Sequence, residues 1–227
     1  MKVSARCGKQ ASTKRIFSLA LVASLIAAPA VMAEQIPFYK SWKEQKFSLF
    51  SKNKYSFKGG TLGVASDGAV SMAYRAVPEG LWGASKVSWK WNVTESVPAA
   101  DLRKKGGDDR NLAMYVVFLP EAETQKLKGA GIRKLLGSNA ARVLVYVRGG
   151  NHGRGQMLGS PYLGDRGKTV VLRNAGTGSY SESVNLANDY KRAFGGAKGA
   201  VVGIAVSADS DDTKSKVRGS ISGLALN

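Results

Sequence analysis

The sequence predicts one mainly β domain, an antiparallel β-sandwich or jelly roll with one or two short helices. Short apolar or alternating runs recur along the chain, and Gly, Pro, Ser and Asp residues separate them, as strands and turns require. Only two stretches place apolar residues at helical spacing, so helices do not alternate with strands as they do around a parallel sheet. Together these observations favour two packed antiparallel sheets.

Residues 1–33 have the composition of a secretory signal peptide and are set apart from this domain. Five basic residues precede the apolar run Ile16–Met32, and small side chains lead to Ala33, so cleavage is expected after that residue. An uncleaved membrane anchor is the alternative, although a membrane span needs about 20 apolar residues. The expected product is a periplasmic or secreted domain of residues 34–227 without a transmembrane segment.

Charge and cysteine content narrow the classes of partner. The chain has a formal net charge of +18, and removal of residues 1–33 takes five basic residues and no acidic one, which leaves +13. This charge permits electrostatic binding to nucleic acid or anionic lipid. The basic residues are scattered and no nucleic-acid-binding motif occurs, so no specific nucleic acid is expected. The only cysteine, Cys7, precedes the expected cleavage point, so no disulfide is expected in the domain.

The first half of the domain contains three well-marked strand patterns. Residues 61–64 and 70–74 are short strands around the turn Ser66–Gly68, and we interpret them as a hairpin. Residues 86–93 alternate with period two, which predicts that Val87, Trp89, Trp91 and Val93 face the core while Ser88, Lys90 and Asn92 face water. Core packing of the two tryptophans is therefore favoured over a sugar-stacking platform.

A central strand is predicted at residues 112–119, where every side chain is apolar. Both of its faces must be covered, either by packed protein or by a ligand groove. Asp108, Asp109 and Arg110 immediately precede it, at the end of a rigid element where polar groups often bind ligands. The alternative is structural: one aspartate pairs with Arg110 or accepts from backbone amides of a neighbouring loop.

The second half is predicted to contain both helices. Residues 121–136 form a helix interrupted by Gly129 and Gly131, and residues 183–195 form a second, with Ser183 as N-cap and Gly195 at its end. Further strands are predicted at residues 142–147, 169–173, 201–208 and 217–226.

Four short motifs, in a fixed order, carry a resemblance to a known family. They are Trp89-x-Trp91, Gly107-Asp108-Asp109, Asp189-Tyr190 with Phe194-Gly195, and the turn Asp209–Thr213. The ordered set resembles the bacterial domain-of-unknown-function family 3047 from about Phe38 to Leu226. The resemblance implies an exported protein and no known chemistry. The strand pattern is also similar in outline to galactose-binding-like and carbohydrate-binding jelly rolls, which says little about function.

Two further groups of residues are candidates for ligand binding. Arg148, His152 and Arg154 lie in a Gly-rich stretch whose backbone amides and guanidinium groups suit a phosphate, sulfate or uronate. The alternative for this stretch is a solvated loop. Trp82, in a Gly-containing loop, is placed to stack on a sugar ring. Because His152 is the only histidine, sites with several histidine ligands are excluded.

One candidate metal site occurs in the acidic turn. Asp209, Asp211 and Asp212 offer the hard oxygen ligands that calcium prefers, and no other cofactor is expected. The spacing does not match an EF-hand, because Lys214 stands where that loop requires Gly. The favoured alternative is that these side chains bond the backbone of a tight turn, since Lys214 and its basic neighbours repel a cation.

Three functional hypotheses follow. The leading one is a non-catalytic module that binds a carbohydrate or another anionic cell-envelope polymer; the second is a glycoside hydrolase or lyase, which needs two carboxylates facing one cleft. The third is electrostatic binding of nucleic acid or anionic lipid. Under the first, six basic residues from three loops are expected to form a rim near Asp108 and Trp82: Lys104, Lys105, Arg148, Arg154, Arg166 and Lys168.

Overall fold

The structure is a computed structural model that describes residues 1–4, 8, 33–39, 41–47 and 51–227. The predicted signal peptide lies almost entirely outside the described residues. The chain divides into two compact units, Met1–Val31 and Met32–Asn227, and every strand and helix described below belongs to the second. No helix within the described residues combines the length and the apolar composition that a bilayer crossing requires.

The described residues form thirteen strands, three short α-helices and one 3-10 helix. The strands are β1 (Glu34–Gln35), β2 (Lys43–Lys46), β3 (Lys54–Lys58), β4 (Thr61–Asp67), β5 (Val70–Ala76), β6 (Lys86–Glu95), β7 (Arg110–Leu119), β8 (Arg142–Gly149), β9 (Met157–Ser160), β10 (Gly164–Arg173), β11 (Gly178–Asn185), β12 (Ala200–Asp209) and β13 (Lys216–Leu226). The α-helices are α1 (Glu121–Thr124), α2 (Ile132–Gly137) and α3 (Leu186–Phe194), and the 3-10 helix covers Glu79–Leu81.

These strands form two sheets, which confirms the predicted mainly β sandwich. The six-stranded sheet has the order β11-β6-β13-β4-β3, with β1 added beside β13. The seven-stranded sheet has the order β2-β5-β12-β7-β8-β10-β9. All pairings are antiparallel except that of β8 with β10, which is parallel and was not predicted.

One predicted pairing is wrong, although both of its strands exist. The segments around Ser66–Gly68 are β4 and β5, but β4 pairs with β3 and β13 whereas β5 pairs with β2 and β12. The turn therefore passes from one sheet to the other instead of closing a hairpin. The buried Ser66 hydroxyl fixes this crossing, because it donates to the Ala69 carbonyl at 2.6 Å and lies 2.7 Å from the Ser210 hydroxyl.

Both predicted helical regions are present, with one change of boundary. The region 121–136 contains α1 and α2, in agreement with a broken helix. The later helix, α3, begins after Asn185, whose side chain accepts from the Asn188 amide at 2.9 Å. Ser183 belongs to β11 and is not the N-cap. Gly195 ends the helix with φ of 75°, a conformation that favours glycine.

The central strand β7 is buried on both faces, as its sequence predicts. Its inward side chains, Leu112 to Phe118 at alternate positions, pack between the sheets with Trp89 and Trp91. Those two indoles are at most 2% exposed, with ring centroids 5.3 Å apart, which confirms that they are core residues. The outward side chains of β7 form a second apolar cluster with Ile132 and Leu135 of α2. The seven-stranded sheet is thus covered on its outer face too.

Candidate functional site

A cavity of about 430 Å³ lies on this covered outer face of the seven-stranded sheet. Its floor is formed by side chains from five neighbouring strands: Val70 and Met72 of β5, Asp209 of β12, Tyr115 of β7, Val145 of β8 and Thr169 of β10. Cavities of this volume, mainly apolar and with a few convergent polar groups, are typical of small-molecule sites. This is therefore the candidate functional site.

Three connecting segments form the walls of the cavity. They contribute Leu102 from the loop before β7, Leu136 from α2, and residues 160–163 from the end of β9 and the loop that follows it. The last loop lies close against the sheet because β10 has no side chain at Gly167. A Cβ there would approach the Leu163 side chain to 2.6 Å, which real Cβ atoms do not tolerate. Gly167 thus positions this wall.

A buried ion-pair network occupies one end of the cavity, centred on Arg110. Its Nη1 donates to the Asp108 carboxylate at 2.8 Å and lies 3.2 Å from the Asp209 carboxyl group. Its Nη2 donates to the Tyr115 hydroxyl at 2.8 Å. All three charged side chains are at most 11% exposed. One guanidinium therefore contacts two carboxyl groups, and Asp108 makes the pairing with Arg110 that the structural alternative predicted.

Tyr162 links the wall loop to this network. Its hydroxyl donates to Asp108 Oδ1 at 2.8 Å, while the residue as a whole is 54% exposed. Burial of the hydroxyl, and then the Asp108 carboxylate, hold the pKa of the Tyr162 phenol above its ordinary value, so the phenol remains a donor. Lys105 Nζ lies 5.6 Å from the centroid of the same ring. Tyr162 thus closes one side of the cavity and presents an aromatic face at its mouth.

The second carboxyl group of the network, Asp209, is poorly solvated. Burial raises its pKa to about 8; the contact with Asp211 adds to this rise, and Arg110 opposes it. Asp209 Oδ1 is buried and has no hydrogen-bond partner among the described residues. Because Arg110 also serves Asp108, burying a second full negative charge is unfavourable. Asp209 therefore loses its proton less readily than an ordinary aspartate does.

Asp109 is not part of the Arg110 network; it accepts hydrogen bonds from the acidic turn that follows β12. Its carboxylate accepts from the Thr213 amide at 2.8 Å, from the Thr213 hydroxyl, and from the Asp212 amide at 3.4 Å. Asp109, Asp211 and Asp212 bring carboxylate oxygens within 4.8 Å of one another. Calcium requires six to eight oxygen ligands, but the Asp109 oxygens are already bonded and Asp209 belongs to the Arg110 network. The arrangement favours the turn interpretation over the predicted calcium site.

The mouth of the cavity is acidic although the whole chain is basic. Asp211 and Asp212 are exposed and line the cavity beside Asp108 and Asp209. Burial, and then the charges of Asp211 and the other nearby aspartates, raise the pKa of Asp212. Arg110 lies in the same lining but is already bound to two carboxyl groups. Lys105 lies over the Tyr162 ring, but the exposed charged side chains that line the mouth itself are the carboxylates of Asp211 and Asp212, which favour hydroxyl or ammonium groups and disfavour anions.

The Gly-rich basic stretch binds its cationic side chains largely to groups of the protein itself, in contrast to the exposed anion site that its sequence suggests. Arg148 is 1% exposed, and its Nη1 and Nη2 donate to the Gly178 and Gly176 carbonyls, each at 2.8 Å. Arg154 is exposed, but it lies 3.7 Å from Glu182, which also binds Arg173 at 2.8 Å. Arg148 thus anchors the segment before β11, and Glu182 offsets the neighbouring cations.

His152 has a structural role in the same region. Its Nε2 lies 3.0 Å from Asp101 Oδ1 and 3.2 Å from the Leu102 amide nitrogen. The Asn151 amide also donates to the Ala100 carbonyl at 3.0 Å. These contacts join the two loops, and they fix the segment that places Leu102 in the wall of the cavity.

Trp82 lies at the other end of the sandwich from Asp108. The Val201 amide donates to the Trp82 carbonyl at 2.9 Å near the start of β12, whereas Asp209 is at the end of that strand. The Trp82 indole donates to the Val77 carbonyl at 3.1 Å and packs against both core clusters. Trp82 and the Asp108 network therefore belong to different regions.

The predicted basic rim is wrong for the same topological reason. Arg110 pairs with Gly149 at one end of the sheet, whereas Gly167 pairs with Val143 near the start of β8. Arg166, beside Gly167, donates to the Leu136 and Ser138 carbonyls. The parallel pairing of β8 with β10 thus places Arg166 and Lys168 away from the basic residues of the other two loops, although Tyr162, earlier in the same connection, reaches Asp108.

The sequence identified five residues of the cavity, Asp108, Arg110 and, as a candidate metal site, Asp209, Asp211 and Asp212, but not the others. Val145 and Tyr162 come from distant segments, and Tyr162 meets Asp108 across 54 positions. The outward polar hydroxyl of Tyr115 within an otherwise apolar strand was the one local signal, since a buried tyrosine hydroxyl usually has a partner.

Two of the solved structures to which this chain is similar, at low identity, are a xyloglucanase domain and a xylanase. The xyloglucanase domain of NopAA from Sinorhizobium fredii, in complex with cellobiose, has a TM-score of 0.44 and 6% identity, covering 87% of this chain and 98% of that one. The family 11 xylanase from Neocallimastix patriciarum has a TM-score of 0.42 and 10% identity, covering 86% and 99%. At these values neither likeness carries an inference about activity.

A protein-family model matches most of this chain. No curated protein matches the chain. A family model described as a protein of unknown function, DUF3047, matches residues 40–224. That range contains every residue of the cavity and both sheets except β1 and the end of β13. The chain therefore belongs to the DUF3047 family, as the ordered motifs predicted.

Proposed function

We propose that this protein is an exported, non-catalytic carbohydrate-binding protein whose ligand occupies the cavity on the seven-stranded sheet. One observation carries the proposal: an apolar cavity of about 430 Å³ has an exposed tyrosine ring and two exposed carboxylates at its mouth. A sugar ring has apolar C–H faces and polar hydroxyl edges. Tyr162 offers a surface for the first, and Asp211 and Asp212 accept hydrogen bonds from the second.

The state of the buried carboxyl groups supports binding over hydrolysis. A glycoside hydrolase needs two carboxyl groups that both reach the substrate. Asp108 uses one oxygen for Tyr162 and the other for Arg110. Asp209 has one oxygen beside Arg110 and the other without solvent exposure. Asp108 and Asp209 hold the wall of the cavity in place, and neither offers an oxygen for proton transfer to a bound sugar. Asp211 and Asp212 do reach the mouth, but they are neighbours on one turn, whereas hydrolysis needs two carboxyl groups that flank the sugar bond.

The charge at the mouth defines the class of sugar. Because Asp211 and Asp212 are exposed there and Arg110 is already paired, a uronate or sulfated sugar is repelled, whereas a neutral or amino sugar is accepted. Export remains part of the proposal on the sequence of residues 1–33 alone. N-terminal sequencing of the protein from the periplasmic fraction tests it, with Glu34 as the expected first residue.

Calorimetric titration with cellobiose, N-acetylglucosamine, glucosamine and galacturonate tests the binding proposal. We expect one of the first three to bind, galacturonate not to bind, and Tyr162→Ala to reduce the affinity at least about tenfold through loss of the aromatic surface. Tyr39→Ala is the matched control, because Tyr39 is 59% exposed and does not line the cavity. Binding of none of the four sugars, or an equal loss in both variants, would contradict the proposal.

A further inference from the structure

The outer face of the six-stranded sheet is a second region of distinct chemistry. Two rows of paired residues cross its five long strands. One row contains Ser181, Lys90, Ser222, Thr61 and Lys58, and the other contains Ser179, Asn92, Ser220, Gly63 and Ser56. The buried residues of these strands alternate with them and face the core. We name these ten residues the lysine–serine face; they include hydroxyl, amide and ammonium groups and no carboxylate.

The charge of this face is positive and largely uncompensated. Lys54 and Arg218 flank the two rows, since both pair with Ala65 of β4. Arg218 is bound to Glu95 at 3.1 Å. Within the part of the chain that the structure describes, Lys54, Lys58 and Lys90 form no ion pair. Three lysines therefore remain to attract an anion.

The geometry of the face suits an extended ligand. Lys58 and Lys90 are three strands apart in one row, which is roughly 14 Å at the usual spacing between strands. Lys54 and Lys58 are four residues apart along β3, roughly 13 Å. A shallow depression of about 340 Å³ includes four residues of the second row, Ser56, Gly63, Asn92 and Ser220, and is bordered by Lys54 and Arg218. A chain several sugar units long can therefore reach more than one lysine at once.

From this charge and geometry we propose that the lysine–serine face binds a linear acidic polysaccharide. The lysines attract its acidic groups, and the serine, threonine and asparagine side chains between them exchange hydrogen bonds with its hydroxyls. Single-stranded nucleic acid fits less well, because single strands are held mainly by stacking on aromatic side chains, which the two rows lack.

Titration of the purified protein with polygalacturonate at low salt tests this proposal. The double variant Lys58→Ser, Lys90→Ser should reduce the affinity at least about tenfold, because it removes two of the three uncompensated charges. The double variant Lys134→Ser, Lys191→Ser is the control of equal charge, since both lysines are exposed on helices outside this face. The affinity of this control variant for polygalacturonate should fall by less than about twofold.

Three outcomes would overturn the proposal. An equal loss in the two double variants would show an attraction to net charge alone. Equal affinity for uncharged dextran would show that the lysines do not contribute to binding. Tighter binding of duplex DNA, with the same dependence on Lys58 and Lys90, would show that the face binds nucleic acid.

Acetylation of lysines followed by mass spectrometry tests the same proposal on the wild-type protein. Bound polygalacturonate should protect Lys58 and Lys90 and leave Lys134 reactive.

Discussion

The two outer faces of the sandwich differ in cover, charge and chemistry, although both sheets share one core. The face of the seven-stranded sheet is apolar, lies under loops and α2, and contains a cavity with an acidic mouth. The face of the six-stranded sheet carries serine, threonine and lysine side chains, and no helix or loop in the part of the chain that the structure describes covers it. A chain of net charge +18 thus has one region suited to neutral or cationic groups and another suited to anions. Net charge alone does not identify the ligand of either region.

The largest expected effect is a loss of stability from a change in the core between the two sheets. Trp91→Ala should lower the free energy of unfolding by up to about 5 kcal/mol, because it removes a fully buried indole that packs on Trp89. Chemical denaturation measures the change. Trp82→Ala is the comparison, since Trp82 is only partly buried and should cost less. A Trp91→Ala protein with an unchanged unfolding midpoint would contradict the assignment of one common core.

The next effect concerns the covered face alone. Arg110→Met should destabilise the fold by about 3 kcal/mol, because it leaves Asp108 and Asp209 buried without their cation. In this variant, protonation of Asp209 removes one of the two buried negative charges and so limits the loss of stability. Arg103→Met removes a matched but exposed partner of Asp101 and should change stability by less than about 0.5 kcal/mol. Equal effects of the two changes in denaturant unfolding would show that the network does not stabilise the cavity.

A smaller effect appears as a pH dependence. The folded-state pKa of Asp209 is raised to about 8, above the ordinary value of 3.8, so the folded protein binds this proton more tightly than the unfolded chain does. The contribution of Asp209 to stability is therefore fully present below pH 3.8 and is lost as the pH rises toward 8.

The difference between the wild-type protein and Asp209→Asn isolates this contribution. Relative to the variant, the wild type should lose more than about 1.4 kcal/mol between pH 4 and pH 8, which corresponds to one pKa unit. Asp165→Asn, an exposed aspartate outside the cavity, should show no such trend. A wild type that gains stability with pH relative to Asp209→Asn would mean that Arg110 keeps Asp209 ionised.

The smallest effect is the response to calcium. Millimolar calcium should leave the melting temperature unchanged, because the Asp109 oxygens are bonded to the turn and Asp209 faces Arg110. A site filled at 100 times its dissociation constant would instead add about 2.7 kcal/mol. A calcium-dependent rise in melting temperature that Asp211→Asn abolishes would identify a metal site at the mouth of the cavity.

The difference between the two faces was partly predictable from local patterns. Residues 112–119 are apolar at every position, which predicts a strand covered on both sides, and residues 86–93 alternate, which predicts one exposed side. Both predictions are confirmed by β7 and β6. The pairing of strands was less predictable, because it depends on contacts between distant segments. Strands β4 and β5 are adjacent in sequence yet lie in different sheets.

The candidate site was also predictable only where its contacts are local in sequence. The motif at Asp108–Arg110 was visible because it precedes a buried strand, and its ion pair is a local contact. Tyr162 gave no local signal, since its role depends on the path of the loop after β9. Arg148 was misinterpreted as exposed, because glycines around a charged residue suggest a loop. The carbonyls of Gly176 and Gly178, which hold it, come from a distant segment.

The central claim is that the two faces bind different ligands independently, and one cross-titration tests it most directly. The sugar that binds the cavity and polygalacturonate are each titrated against Tyr162→Ala and against Lys58→Ser, Lys90→Ser. Our account predicts that the first variant loses only the sugar and the second loses only the polysaccharide. Loss of both ligands in either variant, or unchanged binding of both ligands in both variants, would contradict it.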